Sequence, residues 1–62
     1  MHIDLEEIDN VLQRVSVNGE HIGWIEEDSG MFFSYSDGSL LGSHTTEERA
    51  IKALFGLYRD GI

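Results

Sequence analysis

The stretch Val15-Ser16-Val17-Asn18-Gly19-Glu20-His21-Ile22-Gly23-Trp24-Ile25-Glu26-Glu27-Asp28-Ser29-Gly30-Met31-Phe32-Phe33-Ser34-Tyr35 decides the fold. Asn18-Gly19 suits a two-residue type I′ hairpin loop, because both central positions need positive φ and these residue types tolerate it. Asp28-Ser29-Gly30 marks a second reversal. The runs between, Glu20–Glu27 and Met31–Tyr35, are rich in apolar and aromatic residues and read as strands. With Asn18-Gly19 as the loop, Val17 faces Glu20 and Val15 faces Ile22. With Asp28-Ser29 as the second loop, Trp24 faces Phe33 and Ile22 faces Tyr35. Two turns placed independently thus gather Val15, Val17, Ile22, Trp24, Phe33 and Tyr35 on one face, which a one-residue slip would scatter. That face is the expected core side.

Downstream, Ser36-Asp37-Gly38 is a third turn; it sets Leu40 opposite Tyr35 and makes Ser39–Gly42 a short fourth strand. Thr45 and Glu48 then match a Thr-x-x-Glu capping box, and Glu47 adds negative charge where the helix dipole favours it. At 100° per residue, Ala50, Ile51, Leu54, Phe55, Leu57 and Tyr58 fall on one stripe, with Arg49, Lys52 and Arg59 opposite and Gly61 as a stop. Upstream, two readings stay open. Asp4–Asn10 forms a short helix if Leu5, Ile8, Val11, Leu12 and Val15 share a stripe. A strand starts at about Val11 if Glu20–Glu27 is to have a long partner, with Gln13 then an inward-facing polar misfit. The expected fold is α+β: one domain over 1–62, an antiparallel three- to four-stranded β-meander packed by one C-terminal α-helix, with the short N-terminal helix as an open alternative.

Composition narrows the function classes. Twelve Asp and Glu against four Lys and Arg in 62 residues give a net charge of −8 and a pI near 4.4. Such a chain avoids phosphate backbones and anionic lipid and favours basic surfaces. Without cysteine it has no disulfide, thiolate metal site or Cys nucleophile. No apolar run approaches the roughly 20 residues of a membrane helix, and the N-terminus turns acidic at once, unlike a signal peptide. A cytoplasmic protein is the expectation, and the Met1 start with a short tail after the helix suggests a whole gene product.

The acidic residues fall in two clusters, Asp4, Glu6, Glu7 and Asp9, and Glu26, Glu27 and Asp28. Solvated surface is the plain reading. The sharper one is an electrostatic decoy, since duplex DNA carries about one charge per 1.7 Å of axis and clustered carboxylates can imitate a short length of it. Everything then turns on whether the clusters lie together. His2, His21 and His44 lack metal-site spacing, and Asp28-Ser29-Gly30 is too short for a calcium loop, so no metal and no cofactor are expected. No serine sits in Gly-x-Ser-x-Gly, a His44–Asp37 dyad is weak, Glu26 and Glu27 alternate across a strand, and a domain this small should lack a pocket of several hundred Å³; an enzyme is not expected.

The order of a three-stranded sheet followed by a C-terminal helix resembles the arm-binding domains of phage-type integrases, which implies major-groove reading by the sheet. The charge opposes that, because Arg14 would be the only fixed cation among His21, Ile25, Phe32 and Ser34, so no direct nucleic-acid contact is expected. Ile25 and Phe32 would pair on the face opposite the helix as an exposed apolar patch. The resulting expectation is a small accessory protein that binds a partner with a basic surface. Its most concrete form is an inhibitor of a nucleic-acid-binding protein, of the DNA-mimic or phage anti-defence type, acting through Asp4, Glu6, Glu7, Asp9, Glu26, Glu27 and Asp28. The alternative is a module that forms a homodimer, or binds a partner, through Ile25 and Phe32 or an edge strand.

Overall fold

The computed structural model describes residues 2–36 and 38–60. Five strands, β1 (Ile3–Glu7), β2 (Leu12–Val17), β3 (Glu20–Asp28), β4 (Met31–Ser36) and β5 (Ser39–His44), precede one helix, α1 (Glu47–Asp60). The strands form a single antiparallel sheet in chain order, β1-β2-β3-β4-β5, and α1 crosses β3, β4 and β5. The α+β meander with a C-terminal helix is as expected, with one strand more. The Gly61 stop and Asp37 lie outside the described residues.

The extra strand replaces the N-terminal helix. Ile3 and Leu5 pair with Val17 and Val15, so the apolar residues alternate with Asp4 and Glu6 at the strand period. Asn18 anchors the start of this strand: its N–H donates to the His2 carbonyl at 2.8 Å and its Oδ1 accepts the His2 N–H at 2.9 Å. At the other end Asp9 makes an Asx turn, its Oδ1 accepting the N–H groups of Val11 (2.8 Å) and Leu12 (3.0 Å). Carboxylates on β1 also guard an edge strand against pairing with other chains.

The first hairpin turns at Asn18-Gly19, with φ of 52° and 86°. The second loop is Ser29-Gly30, with φ of 54° and 80°, one residue later than expected, so Asp28 pairs with Met31 and Trp24 faces Tyr35 rather than Phe33. The larger correction comes from a β-bulge. Val17 faces Glu20 and Ser16 faces His21, but Val15 then faces Gly23, leaving Ile22 as an extra residue. One added residue reverses which side of the sheet everything beyond it meets. Trp24, Phe33 and Tyr35 do share a face, yet Val15 and Val17 lie on the other one, with Gly23, Ile25, Phe32 and Ser34.

The helix packs on that second face. Val15, Ile25, Ala50 and Leu54 are at most 1% exposed, with Ile22, Phe32 and Ile51 around them. Ile25 and Phe32, expected as an exposed patch opposite the helix, instead lie on the helix face, Ile25 buried and Phe32 partly buried against the core, so they form no exposed patch for a dimer or partner contact. Small side chains explain the helix's choice: Gly23, Ser34 and Gly42 leave a trough that the aromatic face cannot offer. A Cβ on Gly23 would lie 2.5 Å from Leu54 Cδ2 and 2.3 Å from the Tyr35 carbonyl oxygen. Gln13 also ceases to be a misfit, because it faces the helix and its Nε2 donates to Glu47 Oε2 at 3.0 Å. The N-cap is Thr46, not Thr45: its Oγ1 accepts the Arg49 N–H at 3.2 Å and its carbonyl accepts the Ala50 N–H, so no capping box forms with Glu48.

Candidate functional site: a carboxylate end and an open aromatic face

Strand direction decides where the acidic residues meet. β1 climbs to Glu7, which pairs with Gln13 near the start of β2. Leu12 pairs with Glu26, and the Glu27 N–H donates to the Val11 carbonyl at 2.8 Å. Phe32 pairs with His44, so β5 also ends there and α1 begins there, tied by the Gln13–Glu47 hydrogen bond. The β1–β2 loop, the β3–β4 hairpin and the first turn of α1 thus share one end of the sheet. Glu6, Glu7, Asp9, Glu26, Glu27, Asp28, Glu47 and Glu48 gather at it, eight of the twelve acidic residues.

The two sequence clusters therefore converge, with one exception. Asp4 sits farther down β1 opposite Ser16, where it pairs with His2 Nε2 at 2.8 Å. Sequence reading missed Glu47 and Glu48 as members of this end, since it read them only as helix-dipole residues; the up-down order of five strands was the signal that could have added them. Two charges of the group are locally matched: Glu6 by Arg14 Nη2 at 2.6 Å and Glu48 by Lys52 Nζ at 3.3 Å. These exposed pairs are weak in water. The helix N-terminus contributes partial positive charge beneath Glu47 and Glu48, which favours carboxylates there.

The face away from α1 carries Trp24, Phe33 and Tyr35. Trp24 lies between Arg14 on β2 and Tyr35 on β4, with Leu12 and Glu26 in the next row and Phe33 beyond Glu26. The Arg14 guanidinium stands over the Trp24 ring, 5.6 Å from its centroid, and His21 meets the ring edge-on at 5.0 Å. Leu12, Trp24, Glu26, Tyr35 and Gly38 line an open concavity of about 370 Å³. So small a domain does have such a depression, because the helix took the other face. The Tyr35 hydroxyl donates to Glu26 Oε1 at 3.3 Å. Its phenol is pushed above its ordinary pKa, first by burial and then by the negative charges of Glu26 and Asp28.

Among the described residues, Ser34 Oγ and His44 Nε2 are 3.0 Å apart. Ser34 is fully buried beneath the helix, so the contact satisfies a core hydroxyl and presents no nucleophile to a substrate. The Asp37 partner considered for His44 lies outside the described residues. Among the described residues, no group of three or more His, Asp or Glu is placed to hold a metal ion, and no helix is long and apolar enough to cross a membrane.

Compared with protein-family models, curated proteins and solved structures, the chain matches none.

Proposed function

We propose that this protein works by binding, with its carboxylate end docking in the basic groove of a nucleic-acid-binding protein and blocking it. The convergence of eight carboxylates from three separate segments carries the reading. Five strands at about 4.8 Å spacing make an end about 19 Å wide. Net of Arg14 and Lys52, the eight carboxylates leave about one charge per 3 Å of that width, comparable to a single strand at about one per 3.4 Å and below a duplex at about one per 1.7 Å. A basic groove meets there the field it is built to meet, with strand ends and a helix terminus holding the carboxylates in place of a phosphate backbone. Direct nucleic-acid contact is disfavoured by the same charge, and the work is non-catalytic. A cytoplasmic setting goes with this reading, since that is where such grooves are used.

The test compares the parent with a Glu26→Gln, Glu27→Gln, Asp28→Asn variant. Proteins retained from lysate are purified, and their affinity is measured from low to high salt with and without competing duplex DNA. The reading expects competition with DNA, a steep fall of affinity with salt in the parent, and a shallower slope in the variant. Affinity and salt slope unchanged by the three substitutions would sink it.

A further inference from the structure

We propose that the concavity on the free sheet face seats the cationic head of an arginine or lysine side chain from a protein partner, between Trp24 and Tyr35 and against the Glu26 carboxylate. The inference deepens the proposed function and rests on it for the source of the cation, while the binding chemistry belongs to the concavity itself. Its walls supply what a desolvating cation needs: two aromatic rings with negative faces, an apolar flank at Leu12, and a carboxylate. Trp24 already receives one guanidinium, that of Arg14 at 5.6 Å, within the range at which a cation is attracted to a ring. Glu26 takes the Tyr35 hydroxyl on Oε1, and a carboxylate's remaining lone pairs serve an incoming N–H. At the Gly38 rim, no heavy atom of the described residues other than its chain neighbours lies within 4 Å of where a Cβ would stand.

The local field selects the occupant. Burial first, and then the negative charges of Glu26 and Asp28, raise the Tyr35 pKa, and those two charges also favour a cation beside the ring. A second copy of the chain is the wrong occupant, because Asp4, Glu6, Glu26 and Asp28 share this face and a two-fold contact would set like charges against each other. The concavity also lies next to the carboxylate end, since Leu12 and Glu26 form the adjoining row. A basic partner drawn to that end therefore brings cationic side chains within reach of the aromatic site.

The test needs no partner. The 15N-labelled protein is titrated with N-acetyl-arginine amide and with N-acetyl-citrulline amide, its neutral isostere, and the Trp24 indole N–H is followed by NMR. The arginine probe should shift that signal and the amides of Glu26 and Tyr35 to saturation, and bind about fivefold tighter than citrulline. Trp24→Leu, with its amide dispersion checked, should abolish the saturable shift of the Glu26 and Tyr35 amides, and Glu26→Gln should weaken the Trp24 indole shift should the first variant not fold. Equal shifts from the two probes would overturn the site. Shifts that spread over Glu7, Asp9 and Glu27 and survive both substitutions would also overturn it, while leaving the carboxylate-end reading intact. Loss of salt dependence on replacing Glu7, Asp9 and Glu27, none of which lines the concavity, tests that other reading separately.

Discussion

Two glycine-to-alanine substitutions should act with opposite sign, and together they test which face of the sheet the helix covers. At Gly23 an added methyl group would lie 2.3 Å from the Tyr35 carbonyl oxygen and 2.5 Å from Leu54 Cδ2. Neither neighbour yields easily: one is backbone of the adjacent strand, and the other is a core side chain 1% exposed. Overpacking of a tight core typically costs about 1–3 kcal/mol, and a backbone collision places Gly23→Ala near the upper end. A 62-residue domain has roughly 3–9 kcal/mol of stability at the usual 0.05–0.15 kcal/mol per residue, so the variant loses a third of it or more. At Gly56, in the middle of α1, a Cβ would meet nothing within 4 Å. Gly56→Ala should therefore stabilise by up to about 1 kcal/mol through helix propensity alone. Urea unfolding followed by Trp24 fluorescence and far-UV circular dichroism measures both, and with m near 1 kcal/mol/M the Gly23→Ala midpoint should fall by about 2–3 M. If the helix lay instead on the Trp24 and Tyr35 face, the collision with Leu54 would be absent and the cost would fall to that of the Tyr35 carbonyl contact within the sheet. A Gly23→Ala change within about 0.5 kcal/mol of the parent refutes the packing.

Thr46→Ala should cost about 1 kcal/mol in the same urea assay through loss of the N-cap, whereas Thr45→Ala should stay within about 0.5 kcal/mol; the reverse order would restore the capping box read from sequence. Replacing Glu27 with Gln and Asp28 with Asn should raise stability by a few tenths of a kcal/mol at low salt, with the gain vanishing near 1 M NaCl, where the Debye length is about 3 Å; a gain independent of salt would show that repulsion at this end is not its cause. Tyr35 should ionise above its ordinary value of 10.0 by absorbance at 295 nm. Because the folded pKa exceeds the unfolded one, its contribution to stability is intact below pH 10, declines from there and is lost as pH rises through the folded value. Tyr35→Phe should remove that part of the alkaline destabilisation, and an unchanged alkaline limb would contradict the assignment.

Turns and helix were legible because their chemistry is local. Asn18-Gly19 has positive φ in the structure as its residue types demand, and Ala50 and Leu54 at the centre of the helix stripe are buried, while Leu57 at its edge is 47% exposed. The covered face was not legible, because it depends on one extra residue. Ile22 looks like any apolar strand position, yet as the bulge it separates Val15 from Trp24 and joins it to Gly23 and Ile25. Large aromatic residues were the natural choice for a core, but a helix needs close approach more than large neighbours. Gly23 beside Trp24, Ser34 between Phe33 and Tyr35, and Gly42 on the next strand were the signal in the sequence for where it would lie. The carboxylate clusters were visible as runs, but their convergence was not. It required β1 to be a strand, and Ile3, Leu5 and Ile8 are spaced for either structure until Val15 and Val17 supply a partner.

The exposed aromatic face is then the place where fold and function pull apart. A chain this small gains about 1.5–3 kcal/mol for each large apolar side chain it buries fully. This one leaves Trp24, Phe33 and Tyr35 only half-buried and builds its core from Val15, Ile25, Ala50 and Leu54. Sequence-level consistency usually breaks where a protein retains something for binding. Here the break coincides with the ring that holds Arg14 and with the row that leads to the carboxylate end. If the face were only an uncovered remainder, exchanging Trp24 for a polar strand former such as Thr would cost little beyond the lost Arg14 and His21 contacts and leave association with a basic partner untouched. If it anchors a partner's cation, the same exchange weakens that association even at high salt, where the carboxylate end alone is screened. On the proposed reading, charge at the end of the sheet would govern encounter and its salt dependence and the aromatic face would govern how long the complex lasts, so the two roles would separate in association and dissociation rates.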